Sequence, residues 1–269
     1  MLDEPKSAAG KLPATARQAR LAELLRRSGF LSVAETAERL GVSSMTIRRD
    51  LESLEARGIL TRTHGGAIAA EGGRGEVFDA IEPEFEQRRR HQATAKAMIA
   101  AAAARLIGPN ETVALDVGTS VLALAKELTA RTDLKYITNN LPAAMMLSGR
   151  GSPVYVLGGQ LRAPEMAVIG AVAREQARNY YVDHAFIGVS GVMENGCYDY
   201  SPEDTEVKRA FIERARRVVV LCDSSKFDHR AMARICELRQ CHMVVTEIQP
   251  PAHLARAFHA AGTELVVAT

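Results

Sequence analysis

The stretch VSSMTIRRDL, residues 42–51, sets two serines, a methionine and a threonine ahead of paired arginines. Ile47, Leu51 and Leu54 follow one another at helical spacing, and Gly58 supplies a stop, so the segment predicts a helix with one apolar stripe. With that stripe turned inward, Ser44, Met45, Thr46, Arg48 and Arg49 occupy the exposed N-terminal turns. Those turns are the part of a recognition helix that enters the DNA major groove. Short hydroxyl side chains and free N–H groups, with Ser43 just ahead of them, suit phosphate and close approach to base edges. Arginine suits guanine edges or phosphate oxygens.

Upstream, Leu21, Leu24 and Leu25 recur between Arg17 and Arg27, and Ser28-Gly29 ends that helix. Ser32 with Glu35 three residues on has the spacing of a capping box, which opens a second helix through Leu40. Gly41-Val42-Ser43 is then the short turn of a helix–turn–helix. Downstream, ILTRTHGGA (59–67) alternates like a strand and turns at Gly65-Gly66, which predicts a β-wing carrying Arg62 and His64 against the DNA backbone. Charge agrees with this placement. Residues 1–70 carry 11 Lys+Arg against 8 Asp+Glu, and the remainder 23 against 24, so the positive excess is N-terminal.

The whole chain has 269 residues, 47% hydrophobic and 25% charged, a length and composition that fit a small domain joined to a medium one. No window reaches the roughly eighteen apolar residues of a membrane span, and the N-terminus lacks the order of a signal peptide, so a cytoplasmic protein with no membrane partner is expected. Cys197, Cys222, Cys236 and Cys241 form no CxxC pair. The cluster CELRQCH (236–242) lacks a second ligand pair with zinc spacing, so the cysteines are read as ordinary reduced thiols, with no metal site and no cofactor.

The expected organisation is a flexible tail over 1–16, a winged helix–turn–helix domain over 17–70, a linker over 71–84 and a second domain over 85–269. The linker reading rests on the Gly-rich, charged and aperiodic AEGGRGEVFDAIEPEF. Glu84 or Phe85 opens a long Ala-rich helix that Gly108-Pro109 terminates. From Glu111 on, short β-rich runs (TVALDV, KYIT, PVYVLGG, HAFIGV, RVVVLCD, HMVVT) alternate with helical stretches, which predicts a mostly parallel α/β sheet with helices on both faces.

Ligands of such sheets bind at the carboxyl ends of the strands. After TVALDV, Gly118-Thr119-Ser120 starts a helix and offers a glycine, two hydroxyls and free N–H groups to a phosphate; an ordinary helix cap accounts for the same residues. Thr138, Asn139 and Asn140 follow another strand. Asp223, Ser224, Ser225 and Lys226 follow a third, where the lysine either neutralises a phosphate or stands on a solvated turn. LGGQLR is a ligand contact or a simple turn.

VSSMTIRRDLESLEARGILTRTHGGA resembles the N-terminal signature of the DeoR family of bacterial transcriptional repressors. The later loops are similar, in order, to that family's effector domain: the DxGT[ST] loop with Asp116, the TN[SN] element, LGGxLR, and the aspartate–serine–serine–lysine element. The resemblance implies a repressor that binds operator DNA; because one small domain makes too few contacts for selective binding, a homo-oligomer, dimer or tetramer, is expected on repeated half-sites. Its second domain, related to ribose-5-phosphate isomerase, would bind a phosphorylated sugar or polyol as effector. Gly188, Ser190, Glu206 and Lys208 are expected among the effector-site residues, Glu206 and Lys208 for helix capping, sugar-hydroxyl contacts or the coupling between binding and shape. An active isomerase fused to a DNA-binding domain is the rival reading. In the isomerases a DGADE-like run follows the strand that here reads DHAFIGVSGV, and Ile187 and Ser190 stand where its two aspartates would. Neither can move protons as a carboxylate does, so no catalytic residue is assigned, although Glu203 and Asp204 remain nearby acids.

Overall fold

A computed structural model describes residues 13–28, 30–57, 59–63, 66–69, 77–78, 82 and 85–268. They belong to two compact units, Met1–Gly75 and Glu76–Thr269.

The first unit runs α1 (Ala14–Ser28), β1 (Phe30–Ser32), α2 (Val33–Leu40), α3 (Ser44–Ala56), β2 (Leu60–Thr63) and β3 (Gly66–Ala69). The strands form an antiparallel sheet in the order β1-β3-β2, with Leu60 opposite Ala69 and Leu31 opposite Ala67. Leu21 and Leu25 of α1, Ile47, Leu51 and Leu54 of α3, and Leu60 of β2 make one buried core. Burying each of these side chains is worth about 1.5–3 kcal/mol, which is what holds three short helices together. The turn between α2 and α3 depends on Gly41, whose φ of +64° lies in the left-handed region; the Val42 N–H then closes on the Ala37 carbonyl at 3.0 Å. The Glu35 side chain of the expected capping box and the wing turn at His64-Gly65 lie outside the described residues.

The second unit opens with β4 (Val77–Phe78), α4 (Phe85–Arg90) and α5 (Ala93–Ala104). The single long helix expected here is two. Gln92 adopts a left-handed φ of 55°, which ends α4 and restarts the chain as α5. The two pieces differ in kind: α4 buries no residue, whereas α5 buries Ala95, Ile99, Ala100, Ala102 and Ala103. The Lys96 ammonium donates to the His91 carbonyl at the break.

Then come β5 (Thr112–Leu115), α6 (Thr119–Glu127), β6 (Lys135–Thr138), α7 (Leu141–Leu147), β7 (Val154–Val156), the hairpin β8 (Gln160–Arg162) and β9 (Ala167–Ile169), α8 (Ala171–Arg178) and β10 (Val182–Gly188). The chain continues through β11 (Gly191–Met193), β12 (Gly196–Asp199), α9 (Pro202–Arg214), β13 (Ala215–Leu221), β14 (His229–Arg230), β15 (Ala233–Cys236), β16 (Met243–Thr246), α10 (Ala252–Ala261) and β17 (Glu264–Val267). Seven strands form one parallel sheet in the order β17-β16-β13-β10-β5-β6-β7.

Alternate residues of its strands enter opposite cores. Ala185 and Ile187 pack with Phe211 of α9 and Phe258 of α10, whereas Phe186 packs with Ile99 of α5 and Leu124 of α6. Helices therefore cover both faces, which buries the central strands of the parallel sheet and leaves edge strand β7 exposed. Strands β11, β12 and β15 form a separate antiparallel sheet, and β4 pairs with β14 inside the stretch read as linker.

Candidate DNA-binding helix and candidate effector site

In the first unit Ser43 is the N-cap of α3. Its Oγ accepts from the Thr46 N–H at 3.2 Å and lies 2.9 Å from Thr46 Oγ1. The buried face of α3 also takes in Asp50, which Arg17 and Gln18 of α1 hold by side-chain hydrogen bonds. What remains outward is Ser43, Ser44, Met45, Arg48 and Arg49, with Thr46 half-buried and Met45 57% exposed. One exposed methionine needs no explanation by itself, but with Arg48 and Arg49 beside it the capped start of α3 is an outward-facing cationic surface.

Arg62 behaves differently from a free wing cation. Its Nε and Nη1 reach Glu55 and Glu52 of α3 at 2.6 and 2.7 Å, and its backbone N–H donates to Glu55 at 2.8 Å. It fastens β2 to α3. His64 lies outside the described residues.

In the second unit the sheet order reverses between β5 and β10. From β5 the chain proceeds outward through β6 and β7, and from β10 it proceeds the other way through β13, β16 and β17. A crevice forms at such a switch point because the loops leaving the two strands part to opposite faces. Those loops are Asp116–Ser120 and Gly188–Ser190. They approach closely: a Cβ on Gly188 would stand 2.9 Å from the Val117 carbonyl oxygen and 3.7 Å from the Gly118 Cα.

Asp116 is fully buried, and its Oδ2 accepts from the Gly188 N–H at 3.1 Å and from the Lys208 ammonium. Lys208, also buried, reaches Asp199 Oδ2 at 3.1 Å and the Gly188 carbonyl at 3.0 Å. Ser190 Oγ donates to Asp199 Oδ1 at 2.8 Å. Lys208 thus ties β5, β10 and β12 together from α9. Burial opposes charge on both partners. For Lys208 the attraction of Asp116, Asp199 and Asp204 outweighs it and holds the ammonium above the ordinary lysine range. For Asp116 burial outweighs the lysine and carries the carboxyl up to about 7.

Gly118 caps α6 at φ +136°, a conformation that favours glycine. The first turn of α6 then presents the N–H groups of Thr119, Ser120 and Val121, none with a hydrogen-bond partner among the described residues. One strand over, Thr138 Oγ1 donates to the Leu115 carbonyl, Asn140 donates to the Asp116 carbonyl at 3.2 Å, and Asn140 Oδ1 caps α7 through the Ala143 N–H. These residues brace the Asp116 loop. Asn139 is wholly buried, with Oδ1 unpartnered among the described residues.

On the other side, Asp223 caps a 3-10 turn holding Lys226. Burial works against its charge, but Lys226 and Lys96 hold its carboxyl below the ordinary range. Among the described residues no carboxylate oxygen lies within ion-pairing distance of Lys226.

Two expected features sit differently. Glu206 is exposed on α9 and pairs with Arg174 of α8 at 3.0 Å, facing away from Lys208. Two residues along a helix is about 200° of rotation, so Glu206 and Lys208 cannot share a face, whereas Asp204, at i−4 from Lys208, does. Asp204 is buried and takes Arg162 of the LGGQLR hairpin as its partner. Arg162 also reaches Glu165 at 3.1 Å. Lys96, buried 3.2 Å from Asp223, carried no motif that distinguished it in an Ala-rich helix.

Residues 17–72 match the DeoR-like helix-turn-helix domain and residues 91–248 the DeoR C-terminal sensor domain. The chain is 30% identical to the glycerol-3-phosphate regulon repressor of Escherichia coli K12, covering 88% of this chain and 92% of that one. It is 33% identical to the lactose phosphotransferase system repressor of Streptococcus mutans, covering 85% and 90%. It is likewise 33% identical to the HTH-type transcriptional repressor GlcR of Bacillus subtilis, covering 91% and 93%. A solved ribose 5-phosphate isomerase from Methanocaldococcus jannaschii aligns over 51% of this chain and 55% of its own, at 21% identity and a TM-score of 0.39. Among the described residues no helix is long and apolar enough to cross a membrane. With a capped, outward-facing α3 in one unit, a reversal of strand order between β5 and β10 in the other and both domains matched in order, the chain belongs to the DeoR family of transcriptional repressors.

Proposed function

We propose that this protein represses a sugar or polyol operon by binding operator DNA through α3, and that a phosphorylated sugar or polyol at the switch-point crevice releases it. The observation that carries the reading is the first turn of α6: three adjacent N–H groups without partners among the described residues, at the positive end of a helix dipole, beside Gly118 and the hydroxyls of Thr119 and Ser120. An anion is what such a turn binds. Lys208 already carries two carboxylates, so the phosphate charge falls to these N–H groups and to Lys226. The buried acceptors of Asp116 and Asn139 suit the hydroxyl donors of a polyol chain.

On the DNA side, Ser43, Ser44, Met45, Thr46, Arg48 and Arg49 make the contacts, with Arg62 holding the wing to α3. One small domain touches too few base pairs for selective binding, so the repressor acts as a dimer or tetramer on repeated half-sites. Its place of work is the cytoplasm, at the nucleoid. It binds its effector without turning it over, because Ile187 and Ser190 stand where a pair of proton-transferring carboxylates would be needed, and neither moves a proton as a carboxylate does. Effector binding acts through a difference in affinity between the DNA-competent state and the other.

The test is fluorescence anisotropy on the upstream DNA of the protein's own gene at fixed salt, with a panel of sugar and polyol phosphates and their unphosphorylated forms. Release by one phosphorylated compound, unchanged after prolonged incubation, is the expected result. No specific DNA binding, release by the unphosphorylated form alone, or conversion of the compound overturns the reading.

A further inference from the structure

CELRQCH holds two cysteines five residues apart and no second ligand pair, which is why the sequence shows no metal site. The fold supplies a third sulfur from elsewhere. Strand β12 pairs antiparallel with β15, and this register sets Cys197 opposite Cys236. A 3-10 turn at Leu238–Gln240, closed by reciprocal side-chain to backbone hydrogen bonds between Glu237 and Gln240, then returns the chain so that Cys241 faces both. Cys236 and Cys241 Sγ are 3.4 Å apart, Cys197 and Cys241 Sγ 3.9 Å, and all three sulfurs lie within 4.8 Å of one another.

We propose that Cys197, Cys236 and Cys241 form a binding site for one thiophilic d10 cation, Zn2+ or Cu+. The spacing carries it. A metal–sulfur bond of about 2.3 Å puts ligand sulfurs roughly 3.8–4.0 Å apart in tetrahedral or trigonal geometry, and the observed triangle needs only small rotamer adjustments to reach it. Three soft sulfurs and no oxygen or imidazole select thiophilic ions over Mg2+ or Ca2+. A cleft of about 230 Å³ lined by Cys236, Arg209, Arg234, Glu237 and Gln240 adjoins the cluster at Cys236.

Each thiol gives its proton to solvent as the metal–sulfur bond forms; three thiolates leave one net negative charge around Zn2+ and two around Cu+, and the Arg209 guanidinium, fixed to the Ile235 carbonyl at 3.1 Å, lines the adjoining cleft. Zn2+ takes its fourth ligand from the cleft, whereas Cu+ is satisfied by three. An ion here is fastened to β12, two residues from Asp199, and so to a strand that holds Lys208. The site does not depend on the repressor reading.

The test uses full-length protein, reduced and metal-free, titrated anaerobically with Zn2+ against a chromophoric chelator and separately with Cu+. The expected result is one ion per chain, with Cys197→Ser weakening binding by about 100-fold or more and Cys222→Ser changing nothing. Circular dichroism checks that each variant folds. Co2+ titration of the unsubstituted protein gives a variant-independent readout, since thiolate ligation produces sulfur-to-metal charge-transfer absorption. Absence of stoichiometric binding, binding that survives Cys197→Ser, or a Cys236–Cys241 disulfide that persists in reductant-treated protein and excludes the ion overturns the proposal.

Discussion

Replacing Lys208 with Met removes a buried charge while keeping most of the side chain's length and packing. Asp116 is then left with the Gly188 N–H on Oδ2 and nothing on Oδ1 among the described residues, while Asp199 keeps Ser190 Oγ and the Tyr200 N–H. Breaking a buried ion pair from one side costs about 3–5 kcal/mol, a large share of a domain stability of about 5–15 kcal/mol. The cost depends on pH with a definite sign. Burial already lifts the Asp116 carboxyl from 3.8 to about 7 with Lys208 present, and loss of the ammonium lifts it further. A carboxyl raised in the folded state takes up a proton on folding, so stability is present at low pH and lost as pH rises from about 4 through the folded value. The deficit of Lys208→Met relative to the parent is therefore largest at pH 8 and smaller at pH 5. Urea unfolding read by hydrogen exchange of peptides from β5 and β10 reports this unit alone. Adding Asp116→Asn to Lys208→Met recovers part of the loss, because the amide oxygen still accepts from Gly188 without a charge. A deficit below about 1 kcal/mol at pH 8, or one that grows as pH falls, refutes the lysine as the lock of the crevice.

Ser43→Ala removes the cap of α3 and lowers the stability of the first unit by about 1 kcal/mol, seen as a lower melting temperature together with weaker operator binding. Arg48→Ala and Arg49→Ala leave melting unchanged, since both side chains are exposed; each weakens DNA binding and flattens its salt dependence by about one counterion if the contact is to phosphate. Gly188→Ala drives a Cβ to 2.9 Å from the Val117 carbonyl; it costs about 1–3 kcal/mol and raises the effector concentration needed for release at least tenfold, with operator affinity intact. Lys226→Ala gives a repressor that binds operator normally and responds poorly to effector; a full response removes Lys226 from the site.

What the sequence determined by itself was whatever a dozen neighbouring residues decide. The α3 stripe of Ile47, Leu51 and Leu54 and the turn at Gly41 are local, because helix phase and turn chemistry follow from spacing alone. The strand-end loops at Gly118, Thr138 and Asp223 were legible for the same reason. Helix continuity past Arg90 was not, since nothing in the Ala-rich run marks Gln92 as left-handed.

Only the tertiary structure decided which charges meet. The Lys208–Asp116 contact joins residues 92 apart, and strand order, rather than any motif, places them at the switch point. Glu206 and Asp204 differ by two residues, yet helix rotation sends one to Arg174 on the surface and the other to Arg162 inside. Arg62 reads as a wing cation until the fold lays β2 against the carboxylates of α3. Cys197 joins Cys236 and Cys241 through β-sheet register. Pairings between distant segments depend on packing that many local patterns share, and only the closed chain selects among them.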